Sequence, residues 1–235
     1  MDNVKEVSAA NNAEIRVMKN GPYMVSENIP LYPMTIKCSE KNIPSEWLIG
    51  ERLQTPQKYL LCRCGKSARK PFCDGSHVRA NFDGTETSDN VPFCKMAKKL
   101  DGPALKLEDA EMLCASARFC HRGGDIWDVI HKTDEPWAKE NVVRNSADCP
   151  SGRLVIVDKE SGRTIEPSLE KSIGFIEDPA MGVDGPIWVR GGIPVFSADG
   201  KKYEARNRLT LCRCGKSTNK PFCDSSHYPE EDREI

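Results

Sequence analysis

The sequence predicts an α+β protein of three small modules, in which two related β-rich units pair inside one chain and a different α+β unit is inserted between them. Three observations carry this. The block Cys62 to His77, "CRCGKSARKPFCDGSH", returns 150 residues later as Cys212 to His227, "CRCGKSTNKPFCDSSH", with thirteen of sixteen positions identical; duplication explains this and chance does not. With 235 residues and a hydrophobic share of 38%, the chain suits several small cores better than one large one. Between the blocks the texture changes from short alternating runs to longer helix-compatible ones.

The repeat extends upstream, where "GPYMVSENIP" (Gly21 to Pro30) mirrors "GPIWVRGGIP" (Gly185 to Pro194). Each copy reads as a strand-like lead, a connection, a second strand and a cysteine loop. Tyr23 and Val25 with Leu60 in the first copy, and Ile187 and Val189 with Leu209 and Leu211 in the second, give the alternation of short strands. Copy one carries "TIKCSEKNIPSEWLIGERL" where copy two has the tight turn "SADGKKYEAR" around Asp199-Gly200, so the extra segment reads as a surface insertion. A module of about 45 residues is too small to rely on its own core. Pairing of the two copies as an intramolecular pseudo-twofold dimer answers that need.

In the middle unit "LKLEDAEMLCASARFC" is helix-compatible, and "EPWAKENVVRNSA" has Trp137, Val142 and Val143 at helical spacing. "RLVIVDKESGRTIEP" reads as a hairpin turning at Ser161-Gly162. The expected organisation is a flexible N-terminus over 1–14, a first module over 15–90, the middle domain over 91–180, a second module over 181–228 and a flexible tail over 229–235.

The formal net charge is −1 with no long basic run, so the field that holds a nucleic acid backbone is missing. "MDNVKEVSAANNAEIRV" has neither a hydrophobic signal core nor an Arg-rich amphipathic face, and no apolar run reaches bilayer length. A soluble, cytoplasmic protein is expected, with no membrane partner. In a reducing compartment eleven cysteines point to metal sites before disulfides. No Gly-rich phosphate loop, Ser-His-Asp set or Cys-x2-Cys pair is apparent, so no catalytic residue is assigned and a carrier is expected rather than an enzyme.

Cys62-x-Cys64-x8-Cys73-x3-His77 supplies three thiolates and an imidazole, a set that suits zinc or an iron-sulfur cluster. Structural zinc is usually wrapped by two well-separated Cys-x2-Cys knuckles. Four donors on one continuous loop line up along an edge, which better matches a wider two-metal core. Pro71 and Pro221 stiffen the approach to the third cysteine. Asp74 and Asp224 are placed to N-cap a helical turn that carries the histidine and aims its N-terminus at an anionic cluster. Lys66, Lys70, Lys216 and Lys220 add positive charge nearby.

These blocks resemble the CDGSH iron-sulfur domain of the mitoNEET-like proteins. The resemblance implies a β-cap over paired loops and a 2Fe-2S cluster in each block. Cys62 and Cys64 would hold one iron, Cys73 and His77 the other, and Cys212, Cys214, Cys223 and His227 match in the same order. It also implies a tandem member without a membrane anchor. An imidazole in place of a thiolate makes the cluster less negative, so it accepts an electron more readily, and makes it acid-labile, because a protonated imidazole cannot ligate. Copy two departs from the pattern with Ser225 where copy one has Gly75. If the position needs a positive φ, serine costs about 1 kcal/mol; otherwise its hydroxyl can hydrogen-bond near the cluster and shift its potential.

Cys114-x5-Cys120 followed by "CPSGRL", which contains Cys149, is similar to the single-cluster bacterial ferredoxins, in the divergent form that lacks a ligand between the first two cysteines. The similarity covers roughly Leu107 to Ile156, with Ala117 where the missing ligand would stand. It implies a 3Fe-4S cluster, or a 4Fe-4S cluster with one non-cysteine ligand, for which His121 is the nearest candidate. Three buried thiols without a metal are the plainer alternative. Cys38 and Cys94 fit neither pattern, and His131 and the four tryptophans read as packing or surface residues.

The sequence therefore describes a monomeric iron-sulfur protein passing electrons or clusters to redox or cluster-acceptor proteins. A zinc-stabilised interaction module and an oxidoreductase with an unidentified substrate are the alternatives. Elemental analysis of protein purified without oxygen separates them. Iron at about seven or eight per chain with comparable sulfide is the expected result, and about four would leave the middle unit empty. Zinc at about two or three with no sulfide would make the chain a structural zinc protein.

Overall fold

The computed structural model describes residues 13–229. The terminal stretches expected to be flexible lie largely outside the described residues, but Ala13, inside the first of them, is buried in the core. The strands are β1 (Ile15–Val17), β2 (Tyr23–Val25), β3 (Leu31–Cys38), β4 (Pro44–Ile49), β5 (Tyr59–Leu61), β6 (Lys98–Asp101), β7 (Leu105–Asp109), β8 (Leu154–Asp158), β9 (Thr164–Ile165), β10 (Ser172–Asp178), β11 (Val183–Arg190), β12 (Val195–Phe196) and β13 (Arg208–Leu211). The helices are α1 (Ser76–Arg79), α2 (Phe93–Met96), α3 (Ile126–Val129) and α4 (Pro136–Asp148), with short 3-10 turns around them.

Among the described residues these strands form three sheets, ordered β12-β1-β2-β5, β13-β11-β10-β3-β4 and β6-β7-β8-β9. The first two are the paired modules, and they exchange a strand. β12 of the second copy runs parallel to β1, with Ile15 beside Val195. In return β3 of the first copy runs parallel to β10, with Leu31 beside Ile173. The departure points are the Ile-Pro pairs that end the upstream repeat, Ile29-Pro30 and Ile193-Pro194. The side chains turned inward by the two-residue period of the strands then form one shared core, in which Tyr23, Leu31 and Leu61 pack with Ile173, Ile187 and Leu211.

The exchange draws the cysteine loops together. Gly65 sits at φ +72°, and a Cβ there would lie 2.5 Å from the carbonyl oxygen of Cys214. Reciprocally, a Cβ on Gly215, at φ +82°, would lie 2.7 Å from the carbonyl oxygen of Cys64. Tyr23 crosses in the same way, donating its hydroxyl to the carbonyls of Cys212 at 2.9 Å and Pro221 at 3.1 Å.

Four expectations need correction. The extra segment of copy one is a structural hairpin, β3–β4, because its alternating residues Met34, Ile36 and Trp47 find an apolar surface. Trp47 stacks 4.9 Å from both Phe119 and Trp188 and donates its indole N–H to the Asp148 carbonyl at 3.1 Å, so the hairpin fastens the middle domain to the second module. "LKLEDAEMLCASARFC" begins as a strand: Leu105, Leu107 and Asp109 alternate inward along β7, which pairs with β8. β10, which falls inside 91–180, belongs to the second module, since it pairs with β11 and β3 and buries Ile173 and Phe175 in the shared core. In α4, which starts with Pro136 at its first turn, the buried face is Ala138 and Val142, while Trp137 is exposed.

Gly65→Ala is expected to lower stability by about 1 kcal/mol for its φ alone and by more through the contact with Cys214. Gly75→Ala, at φ +83° with nothing near its Cβ, should lose only the first part. Chemical denaturation midpoints that moved equally in the two variants would contradict this packing.

Candidate metal centres

Each repeated block is closed by the same backbone ladder. The N–H of Cys62 donates to the Pro71 carbonyl at 2.8 Å and that of Cys73 to the Leu60 carbonyl at 2.9 Å. Cys212 to Pro221 at 2.8 Å and Cys223 to Thr210 at 3.0 Å repeat the pattern. The ladder uses only the carbonyls of the two prolines, so their missing N–H groups cost it nothing. Ser67 and Ser217 brace the loops from within, each donating its hydroxyl to the Phe72 or Phe222 carbonyl at 2.7 Å.

The ladder leaves the donors in two pairs per block. The sulfurs of Cys62 and Cys64 are 3.8 Å apart, and those of Cys212 and Cys214 are 3.7 Å apart. Cys73 Sγ faces His77 Nδ1 at 3.4 Å, and Cys223 Sγ faces His227 Nδ1 at 3.6 Å. A tetrahedral metal with bonds of about 2.3 Å to sulfur and about 2.0 Å to nitrogen spans two sulfurs at about 3.8 Å, and a sulfur and a nitrogen at about 3.5 Å. Each pair therefore has the separation of one tetrahedral edge. Backbone N–H groups point at the sulfurs as they would at thiolates, from Lys66 to Cys64 and Lys216 to Cys214 at 3.4 Å, and from Gly75 to Cys73 at 3.5 Å.

Burial pushes the Cys64 and Cys223 thiols up. The hydrogen bond between Cys212 and Cys214 draws Cys212 down, helped by backbone N–H groups of Ser217 and Gly215, and pushes Cys214 up. Thiols held in this way ionise when a cation takes them, so the donor set fits a metal-bearing group.

Two aspartates act differently from the expected N-caps. Asp74 accepts the N–H groups of Ser76 at 3.0 Å and Ala68 at 2.9 Å; bonds from the Ser76 side chain and these N–H groups hold its carboxyl well below the usual range. α1 is only four residues long, its cap position is Gly75 in the left-handed region, and copy two has a turn without a helix. The aspartates brace the loop, and helix polarity contributes little. Among the lysines, Lys70 pairs with Asp184 at 3.0 Å and Lys220 donates to the Ser217 carbonyl at 2.7 Å.

The spacer residues Arg63 and Arg213 are functional groups that the sequence reading passed over. Both are buried. Arg63 donates to the Gly84 carbonyl at 2.6 Å, and Arg213 to those of Gly185 at 2.9 Å and Ile176 at 2.8 Å. Arg213 lies within electrostatic reach of Cys62 and Cys214, one sulfur from each block, so it offsets negative charge gathered at either site. The signal was present, since the same residue type fills Cys-x-Cys in both copies.

In the middle domain Cys114 follows a 3-10 turn, Cys120 sits in another, and Cys149 ends α4. Cys120 is within electrostatic reach of both others, and burial pushes its thiol up. The N–H of Ser116 points at Cys114 Sγ at 3.4 Å. Beside Cys114 lies Arg153, which is buried and held by Asp109 at 2.6 and 2.9 Å; Asp109 also accepts the Trp127 indole N–H at 2.9 Å. Ala117 turns into the apolar cluster of Met34, Phe119 and Trp188, which accounts for a side chain that cannot ligate. His121 lies beside Cys120, with its Nδ1 2.5 Å from Asp125. Cys38 accepts an N–H from Arg118 at 3.6 Å, and Cys94 is exposed on α2.

Two known families match the segments that carry the cysteines of these three sites. The family described as iron-binding zinc finger, CDGSH type, matches residues 20–78 and 184–228, and the divergent 4Fe-4S mono-cluster family matches residues 100–159. The chain carries two CDGSH-type domains with a divergent 4Fe-4S mono-cluster domain between them. No curated protein and no solved structure gives a significant match. Both CDGSH matches begin one residue before the Gly-Pro pair of the upstream repeat, at Asn20 and Asp184.

Asp109→Ala would leave Arg153 as an unpaired buried charge beside Cys114, and is expected to cost about 3–5 kcal/mol. Iron of the middle site should be lost while absorption of the CDGSH sites remains. Full iron with an unmoved denaturation midpoint would refute that role for Asp109.

Proposed function

We propose that this protein is a three-centre electron carrier. Cys62, Cys64, Cys73 and His77 hold one 2Fe-2S cluster, and Cys212, Cys214, Cys223 and His227 hold a second. Cys114, Cys120 and Cys149 hold a 3Fe-4S or 4Fe-4S cluster. The observation that supports two irons per CDGSH site is the division of its donors into two pairs at tetrahedral-edge separation. Among the described residues no three His, Cys, Asp or Glu side chains close around one point, as a single structural ion would need.

When bound, such clusters accept and give up single electrons without rearranging the protein. The residues of this chain prepare the sites for that. Backbone N–H groups point at the sulfurs, the buried guanidinium of Arg213 lies within electrostatic reach of Cys62 and Cys214, Gly65 and Gly215 let the two CDGSH loops touch, and buried Cys62 and Cys212 keep one side of each site from water. His77 and His227 are half-buried at the rim and form the natural exit toward redox protein partners. No helix among the described residues is long and apolar enough to cross a membrane, and the reading places the carrier in the cytoplasm, as a monomer without catalytic side chains of its own.

Cluster donation is the second reading, favoured by those same half-buried histidines, because protonation detaches an imidazole. Visible absorption should decay faster near pH 6 than near pH 8. His77→Cys and His227→Cys should keep the clusters and slow that decay. Loss of colour in both variants would count against histidine as a ligand, and equal decay at the two pH values against acid release.

A further inference from the structure

The middle cysteine loop does not touch the two CDGSH loops alike. Among the described residues, every hydrogen bond that joins it to a cysteine loop goes to the second copy. Ser225 donates its hydroxyl to the carbonyl of the ligand Cys114 at 2.9 Å, and the hydroxyl of Ser116 donates to Ser225 Oγ at 2.7 Å. One residue beyond His227, the Tyr228 hydroxyl shares Asp178 with Arg118, with contacts of 2.6 Å from Tyr228 and 2.5 Å from Arg118 to the same carboxylate oxygen. The loop is thus pinned on both sides of His227. From β13, Arg208 donates to the carbonyl of Cys149 at 2.8 Å. Two of the three middle cysteines are therefore tied by their carbonyls to the second CDGSH module.

Ser225 is also the position at which the copies differ, and it takes the backbone conformation that favours glycine, at φ +68° against +83° for Gly75. A serine costs about 1 kcal/mol there and persists where surrounding contacts over-determine it. A Cβ on Gly75 would meet nothing within 4 Å. The first copy has no surface for a hydroxyl to hold, and the second has one.

We infer that Ser225 is a positioning residue that sets the Cys114 loop against the Cys223 loop. The hydrogen-bonded contact Cys223-Asp224-Ser225 to Cys114 is then the route of electron exchange between the middle site and the second CDGSH site. With the loops of the two CDGSH sites touching at Gly65 and Gly215, the three sites are connected in series through the second CDGSH site. The step moves one electron from a reduced site to an oxidised one, with no bond broken and no proton required. The inference rests on the carrier reading.

The test uses anaerobic holoprotein given less than one electron per chain by a photogenerated one-electron donor, with the electron followed by freeze-quench electron paramagnetic resonance. Ser225→Ala keeps a Cβ at the same φ and removes only the hydroxyl. It should slow redistribution between the middle and second sites several-fold at unchanged iron content and visible spectrum. Amide hydrogen exchange across Ser116 to Arg118 should quicken about tenfold through the lost bonds. Ser116→Ala, which removes one bond from the other side, should give an intermediate slowing and serves if the first variant folds poorly. Ser161→Ala, which removes an exposed hydroxyl at the β8–β9 turn, is the control and should leave the rate unchanged. Redistribution as fast in Ser225→Ala as in the parent, or slowed equally by Ser161→Ala, would overturn the inference and leave the carrier reading intact. A parent protein with no iron in its middle site would overturn both.

Discussion

Two stretches of main chain meet where Gly65 faces Cys214 and Gly215 faces Cys64, and the arrangement of the metal sites follows from that contact. A side chain at either glycine would separate the loops. With both absent, the ligand loops pack back to back, Tyr23 of one copy caps carbonyls of the other, and Arg213 lies within reach of sulfurs from both. Such closeness gathers several thiolates in a small volume, and the guanidinium and the ring of backbone N–H groups balance the charge they carry. Neither module could supply this alone, because one strand of four in the first sheet and two of five in the second come from the partner copy.

Onto this nearly symmetric pair the middle domain docks asymmetrically. The β3–β4 hairpin, present in one copy only, reaches across to hold it through Trp47, and Arg122 of the middle domain answers with a bond to the Ser45 carbonyl at 2.8 Å. Burial of Arg118 against Asp178 and Tyr228 supplies a polar anchor at the same junction. Beside it a cleft of about 790 Å³ is lined by Cys114, Arg153, Phe222 and Ser225 among others, while the Ser116–Ser225 contact itself is buried. Duplicated halves that start equivalent have become unequal through what each touches.

Much of this was legible in the sequence. The short strands of each copy and the hairpin at Ser161-Gly162 rest on local signals, namely two-residue alternation and turn glycines, which a linear reading captures, and the spacing of the repeats marks the residues whose sulfurs and imidazoles the structure brings into pairs. The exchange of β3 and β12 was not legible, since an alternating strand satisfies either sheet equally and nothing local states whose edge it joins. The β3–β4 segment looked like an insertion because Met34, Ile36 and Trp47 acquire their burial only from Phe119 and Trp188, far away in sequence. Likewise β7 was hidden because Leu105 and Leu107 continue into Leu113 at a spacing that helix and strand both tolerate. Ser225 announced that it differed from Gly75, and only its neighbours reveal what the hydroxyl holds.

The strand exchange has a consequence for how the protein is made. Ile15 begins a sheet whose outer neighbour, Val195, is about 180 residues further along the chain. A ribosome adds about 5–20 residues each second, so the first half waits roughly ten seconds or more before its last edge emerges. Until then β1 stands as an open edge, and the carbonyls of Cys212 and Pro221 that Tyr23 will meet do not yet exist. The first ligand loop is complete in sequence early, yet its walls lie about 150 residues further along the chain. Enclosure of the first loop thus waits for the second repeat, and a product truncated before that repeat lacks those walls.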